Sequence, residues 1–175
     1  MRRILLLDDE QNVLNALVRA IRQHVKIDEL RLETFTDPQA ALLRCGEVTF
    51  DIALSDFRMP QMTGVAFLHA LMLGAPSTVR MILSASTDFA SVSSAISEAQ
   101  VFRYIAKPWN IDELKESIAL ALAFRDQAQE ELHLADRQRL QEGQLSAQEL
   151  EAKLLEEDEP GLLKVKWGPN GEVLL

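Results

Sequence analysis

The sequence predicts an open α/β fold: a parallel sheet with helices on both faces. Three observations carry this. Short apolar runs alternate with amphipathic segments five times before residue 125, the pattern of consecutive right-handed βαβ units. Each run is too brief for a helix and rich in leucine or β-branched side chains, as buried strands are. A few chemically active residues close the runs: Asp8 and Asp9 after RILLL, Asp56 after DIALS, Ser84 after VRMIL and Lys107 after VFRYIA. In such a sheet, functional side chains gather where the carboxyl ends of the strands meet solvent. Residues far apart in sequence therefore converge on one crevice.

The expected strands are Arg3–Asp8, Leu30–Phe35, Phe50–Ser55, Val79–Ser84 and Val101–Ala106. Between them, Gln11–His24 carries Val13, Leu14, Leu17 and Ile21 on one helical face, and Pro38–Cys45, Gly64–Leu73 and Asp88–Glu98 read as further helices. Spacings of three and four set these faces against a sheet. Asp37-Pro38 is a helix start, with aspartate as cap and proline in the first turn. Asn110 is placed to cap another helix at Ile111-Asp112-Glu113, whose Leu114, Ile118, Ala121 and Leu122 pack on the sheet domain.

Beyond Arg125 the apolar content thins, and no proline interrupts the helical pattern before Pro160. Leu132, Leu140, Leu145, Leu150 and Leu154 follow no strict heptad, and Gly143 is placed to break or bend the helix. An extended self-associating helix and a solvated charged linker both fit; the helix that pairs is favoured. At the end, Leu163, Val165 and Trp167 alternate with lysines, Gly168-Pro169-Asn170-Gly171 forms a turn, and Glu172-Val173-Leu174-Leu175 follows, a β-hairpin pattern. The expected organisation is a domain over 1–125, an acidic extended helix or linker over 126–160, and a hairpin tail over 161–175. A lone hairpin is marginal in water and needs a surface to dock on.

Charge is unevenly distributed. Residues 126–160 hold eleven acidic and three basic side chains, hence eight of the nine net negative charges. An acidic tail repels phosphate backbones and argues against nucleic acid as a partner. No apolar stretch approaches the ~20 residues of a membrane span, and MRRILLLDDE is cut short by acids, unlike a signal peptide. A single cysteine, Cys45, fits a reduced, cytoplasmic setting and a packing role. His24, His69 and His133 share no metal-ligand spacing, and a solvated helix face is the plain reading of His133.

Asp8-Asp9-Glu10, Asp56-Phe57-Arg58-Met59-Pro60 with Gly64, Ser84-Ala85 and Lys107-Pro108 together resemble the receiver domain of two-component response regulators, in order, spacing and strand context, over roughly residues 1–125. Acidic pairs and Lys-Pro are common singly; four motifs in register are specific. The resemblance implies a flavodoxin-like five-stranded sheet of order 2-1-3-4-5. It also implies a phosphoacceptor, Asp56, that takes a phosphoryl group from a sensor histidine kinase or phosphotransfer protein. A lone strand-end aspartate more often caps a turn; the register decides for the acceptor. Carboxylates serve here because they are ionised at neutral pH and form a labile acyl phosphate. By the same resemblance Mg²⁺ is held by Asp9, Asp56 and the Arg58 backbone carbonyl, with Asp8 acting through water, which suits a cation that takes few carboxylates and keeps waters. Lys107 and Ser84 would contact phosphoryl oxygens, Ala85 leaves room, and the Lys107–Pro108 peptide is expected cis. Ser84 and Tyr104 would be the switch pair, Tyr104 turning inward as Ser84 is drawn to the phosphoryl group, which biases the surface of the Asp88–Glu98 helix, the fifth strand and the helix from Asn110. Arg58 and Ser86 flank the site where receivers tune acyl-phosphate lifetime.

The leading expectation is a non-enzymatic phospho-switch that signals through its tail as a homodimer. FRYIAKPWN resembles receivers attached to cyclic-dinucleotide phosphodiesterases and hydrogenase-type regulators, so the chain also reads as the front of a longer regulator. A small aspartate-dependent phosphatase is the enzymatic alternative, but that class carries two aspartates two residues apart after its first strand. Here Asp8 and Asp9 are adjacent and Asp56 follows the third run. A scaffold with a vestigial site is the remaining class, against which the intact acids, hydroxyl and lysine speak.

Overall fold

The computed structural model describes residues 1–85, 99–158 and 160, with the strand backbones of 166–167 and 173–174. Strands Arg2–Leu7 (β1), Leu30–Phe35 (β2), Ile52–Asp56 (β3), Val79–Ala85 (β4) and Arg103–Lys107 (β5) form a parallel five-stranded sheet in the order β2-β1-β3-β4-β5. Successive side chains on a strand face opposite ways, and here both ways are core. Ile4 and Leu6 of β1 join Ile52, Leu54, Met81 and Leu83 on one side, whereas Leu5, Leu7, Ala53 and Ile82 line the other. This is why the runs read as continuously apolar rather than alternating.

Helix Gln11–His24 (α1) covers the first side with Leu14, Leu17, Ala20 and Ile21, as its periodicity predicts. The second side is closed by Pro38–Cys45 (α2) and Gly64–Gly74 (α3), through Ala41, Cys45, Phe67, Leu68 and Leu71. Asp37 accepts the Gln39 N–H and Thr63 accepts the Ala66 N–H, so both helices begin on side-chain caps. The strand limits differ from expectation by one or two residues. β3 starts at Ile52, and the Asp51 side chain just before it takes Arg2 and Arg125. β5 starts at Arg103, after a turn in which Gln100 has φ 47°. The helix expected over Asp88–Glu98, Ser86 and the Gly168–Gly171 turn lie outside the described residues. The short strands Lys166–Trp167 (β6) and Val173–Leu174 (β7) pair antiparallel.

The larger departure is in the acidic segment. Helix Ile111–Gln141 (α4) starts on Asn110, whose Oδ1 accepts the Asp112 and Glu113 N–H groups at 2.8 and 3.3 Å. It packs Leu114, Ile118, Ala121 and Leu122 beside α1 and continues past Arg125 as expected. It does not run on to Pro160. Gly143 takes φ 72°, a left-handed conformation glycine adopts without strain, and the chain reverses. A second helix, Ala147–Asp158 (α5), then starts on a reciprocal cap: Glu149 N–H donates to Ser146 Oγ at 3.2 Å, and Ser146 N–H to Glu149 Oε2 at 2.8 Å. Helix α5 returns along α4. Lys153 Nζ lies 3.0 and 3.1 Å from the two oxygens of buried Asp136, His133 Nε2 is 3.1 Å from Glu157 Oε2, and Thr49 Oγ1 donates to the Glu157 carbonyl at 2.7 Å. In place of the single extended helix or solvated linker expected over 126–160, the structure has two helices broken at Gly143 and joined by Lys153 on Asp136 and His133 by Glu157, with the Thr49 contact at the foot of the sheet. Among the described residues, no helix is long and apolar enough to cross a membrane.

Candidate functional site

The carboxyl ends of β1, β3 and β5 deliver Asp8, Asp56 and Lys107 to one point. Asp8 follows β1 and is wholly buried; its Oδ1 accepts the Glu10 N–H at 2.9 Å, which fixes the carboxylate, and its Oδ2 lies 2.7 Å from Lys107 Nζ. Asp56 ends β3, with Oδ2 accepting the Arg58 N–H at 2.7 Å and Oδ1 2.5 Å from the same ammonium. Lys107 ends β5, half-buried, and the Lys107–Pro108 peptide is cis. Two carboxylates thus share one amine.

Gly64 makes this arrangement possible in a way that only three dimensions reveal. Its N–H donates to the Phe57 carbonyl at 2.9 Å, and a Cβ at this position would stand 1.9 Å from the Asp56 carbonyl oxygen. Helix α3 can begin against the Asp56 peptide only because that side chain is missing.

Ser84 and Ala85 close β4, opposite Ala106 and Lys107 of β5. Ser84 is buried, its Oγ 3.4 Å from the Ala85 carbonyl, while Ala85 is exposed at the rim. Tyr104 is half-buried, and its hydroxyl donates to the Ser84 and Ala85 carbonyls at 3.3 and 3.4 Å. The aromatic side chain is thus already linked to the end of β4. Asp9 and Arg58 are exposed beside the buried acids.

Burial pushes the Asp56 carboxyl above the usual carboxylate range; Lys107 opposes that shift and the Asp8 charge adds to it. Burial also disfavours the Lys107 ammonium, yet the hydrogen bonds and charges of Asp56 and Asp8 outweigh it and hold the amine above its ordinary value. Lys107 is the ammonium in direct contact with both buried carboxylates, and Asp9 and Arg58 add one charge of each sign at the rim.

Among the described residues, no three His, Cys, Asp or Glu side chains stand close enough together to form a preassembled metal cage. A cation held by one or two carboxylates plus waters and phosphate oxygens needs no such cage. The negative excess and oxygen-only donors therefore fit Mg²⁺ and offer nothing to a softer metal.

A parallel α/β sheet with buried acids and a lysine at its carboxyl edge defines a class of signalling domain, one that holds its chemistry at strand ends. The response regulator receiver domain profile matches residues 4–119, and the chain belongs to that family. It is 35% identical over 119 residues to the hydrogenase transcriptional regulatory protein HoxA of Bradyrhizobium diazoefficiens, covering 68% of this chain and 24% of the relative. It is 30% identical to the cyclic di-GMP phosphodiesterase response regulator RpfG of Xanthomonas campestris pv. campestris, covering 72% and 33%. A solved receiver domain of an HD domain-containing protein from Pseudomonas fluorescens superposes with TM-score 0.66 at 28% identity, covering 72% of this chain and 98% of that one. The chain spans about a quarter to a third of these two curated relatives' length.

Proposed function

We propose that Asp56 accepts a phosphoryl group from a sensor histidine kinase or phosphotransfer protein and that the chain switches conformation in response. The observation that carries this reading is the sharing of the Lys107 ammonium by Asp8 and Asp56. The Arg58 N–H holds one Asp56 oxygen, and the other lies against the Lys107 ammonium. That oxygen attacks phosphorus, an O–P bond forms, the bond from phosphorus to the donor's nitrogen or oxygen breaks, and an acyl phosphate results. Lys107 already lies against the attacking oxygen and would transfer its charge to a phosphoryl oxygen as charge moves outward. Ser84, one strand over, would donate its hydroxyl to another oxygen, and Ala85 leaves that approach open. Asp9, Asp56 and the Arg58 carbonyl would hold Mg²⁺, with Asp8 behind them; the ion supplies neutralising charge to the gathering oxygens.

Tyr104 would report the event. Movement of Ser84 toward the phosphoryl group displaces the carbonyls that its hydroxyl now contacts, freeing the ring to turn inward. The reading extends to a non-enzymatic cytoplasmic regulator without a nucleic-acid or membrane partner, comprising a receiver over 1–125 and a tail beyond. Its tail either pairs two copies or leads to a further output segment of the kinds named in the relatives. Leu132, Leu134, Leu154 and Leu155 remain exposed on the folded-back pair and supply the apolar surface a homodimer would bury.

Acetyl phosphate with Mg²⁺ tests the reading. The wild type should gain one phosphoryl mass, Asp56→Asn none, and light scattering should register a phosphorylation-dependent change in dimer content. Undiminished phosphorylation of Asp56→Asn would overturn the acceptor, and a monomer under both conditions would overturn the dimer.

A further inference from the structure

At the foot of the sheet, the ends of α2 and α3 stand across an open groove from the returning helix α5, with a volume of about 390 Å³. Cys45 ends α2 and Gly46 follows it; Gly74 ends α3, with Ala75 and Pro76 after it, so one wall is small and apolar. The other wall comes from α4 and α5 and includes apolar Leu132 and acidic Glu156 and Glu157. Helix α5 is held here by Lys153 on Asp136, by His133 beside Glu157 and by Thr49 on the Glu157 carbonyl. All three contacts are polar.

Pro160 also lines the groove, and from it the chain runs into Gly161-Leu162-Leu163-Lys164-Val165-Lys166-Trp167. Three residues of extended chain span about 10 Å, so Leu162 and Leu163 cannot travel far from the wall that Pro160 forms. Leu163, Val165 and Trp167 are large and apolar, whereas Lys164 and Lys166 between them are opposite in charge to Glu156 and Glu157. The β6–β7 pair has two residues in each strand, and so short a hairpin does not bury such side chains by itself.

We propose that this groove is the docking site of the chain's own C-terminal segment. Leu163, Val165 and Trp167 seat on the apolar wall, and Lys164 and Lys166, on the alternate side of a strand, turn toward Glu156 and Glu157. Apolar burial drives the docking, and the opposed charges set its orientation. The segment acts as a clasp that ties α5 to the ends of α2 and α3, so receiver and helix pair move as one unit. Leu134, Leu154 and Leu155 are exposed and outside the lining of this groove, so the clasp leaves them for a second copy.

NMR on the full chain decides it, in a sample mixed from isotope-labelled and unlabelled copies. Nuclear Overhauser contacts from the Leu163 and Val165 methyls and the Trp167 ring to Ala75 and Pro76 should arise within one copy. Contacts found only between labelled and unlabelled copies would seat a second copy's segment in the groove and overturn the proposal, as would the absence of any contact to this wall. Leu163→Asp removes one apolar anchor. It should quicken hydrogen exchange of the α5 amides, relative to those of α3, about tenfold, the effect of one lost leucine on a docking equilibrium. Exchange at the wild-type rate would overturn the clasp. Phosphorylation by acetyl phosphate, read on the same variant, should be unchanged, so a failure of the clasp and a failure of the Asp56 reading are distinguishable.

Discussion

The two ends of the sheet use the same ingredients in opposite proportions. At the amino edge, Asp51 is met by two guanidiniums and a backbone N–H. At the carboxyl edge, Asp8 and Asp56 divide a single ammonium between them. A carboxylate given every donor it can use is fixed in place and contributes to folding. Two buried carboxylates sharing one ammonium keep an excess of negative charge between them. Burial is common to both edges, so it is the ratio of cations to acids that distinguishes them.

The largest effect should come from making the same isosteric change at each end. Asp51→Asn strips the charge facing Arg2 and Arg125 and leaves a buried guanidinium uncompensated, which costs about 3 kcal/mol. Asp56→Asn removes a carboxylate that burial and Asp8 both disfavour, so its stability should equal or exceed the wild type. Urea unfolding of the two variants measures the contrast. Equal losses would show that the edges do not differ in this way.

A middle-sized effect is expected where the backbone itself forms the chemical edge. Gly64→Ala places a methyl 1.9 Å from the Asp56 carbonyl oxygen. Backbone cannot swing aside as a side chain does, so the cost is about 1–3 kcal/mol, and acceptor phosphorylation should slow because the Asp56 peptide is displaced. Gly74→Ala, at the other end of α3 with nothing within 4 Å of the added Cβ, is the matched control. Intact-mass kinetics and thermal melts on the pair would show whether proximity to Asp56, rather than loss of glycine, matters.

The carboxyl edge was legible in the sequence because its residues are chemically distinctive and each follows an apolar run. Asp8, Asp56, Ser84 and Lys107 announce their positions by the strands they terminate. Nothing comparable marks the amino edge. Asp51 reads as an ordinary residue near a strand start, and Arg2 and Arg125 as surface basics far apart in the chain; only the fold gives them a common partner. Gly64 was visible as part of a motif, but its reason, the approach of α3 to the Asp56 peptide, is a distance no spacing encodes. The tail did carry a signal. Ser146-Ala147-Gln148-Glu149 after Gly143 is a stop followed by a reciprocal cap, and sparse leucine spacing obscured it.

The smallest effect belongs to the tail, where the partners of buried Asp136, Lys153 and Arg139, are about half exposed. Lys153, and after it Arg139, hold the Asp136 carboxyl below its ordinary value of 3.8. A depressed carboxyl contributes its stability in full above the unfolded value and loses it as pH falls through the folded one. Acidification below about pH 4 should therefore loosen α5 from α4 while the sheet persists. NMR order parameters of the α5 amides, followed from neutral to acid pH, would fall in the wild type before those of α3. Asp136→Asn deletes the titrating group, so its α5 should be looser at neutral pH and change less on acidification. If that variant showed the full wild-type transition, Asp136 would not control the release. The amino edge would then be held to its tail by the helix-end contact at Thr49 rather than by the buried aspartate.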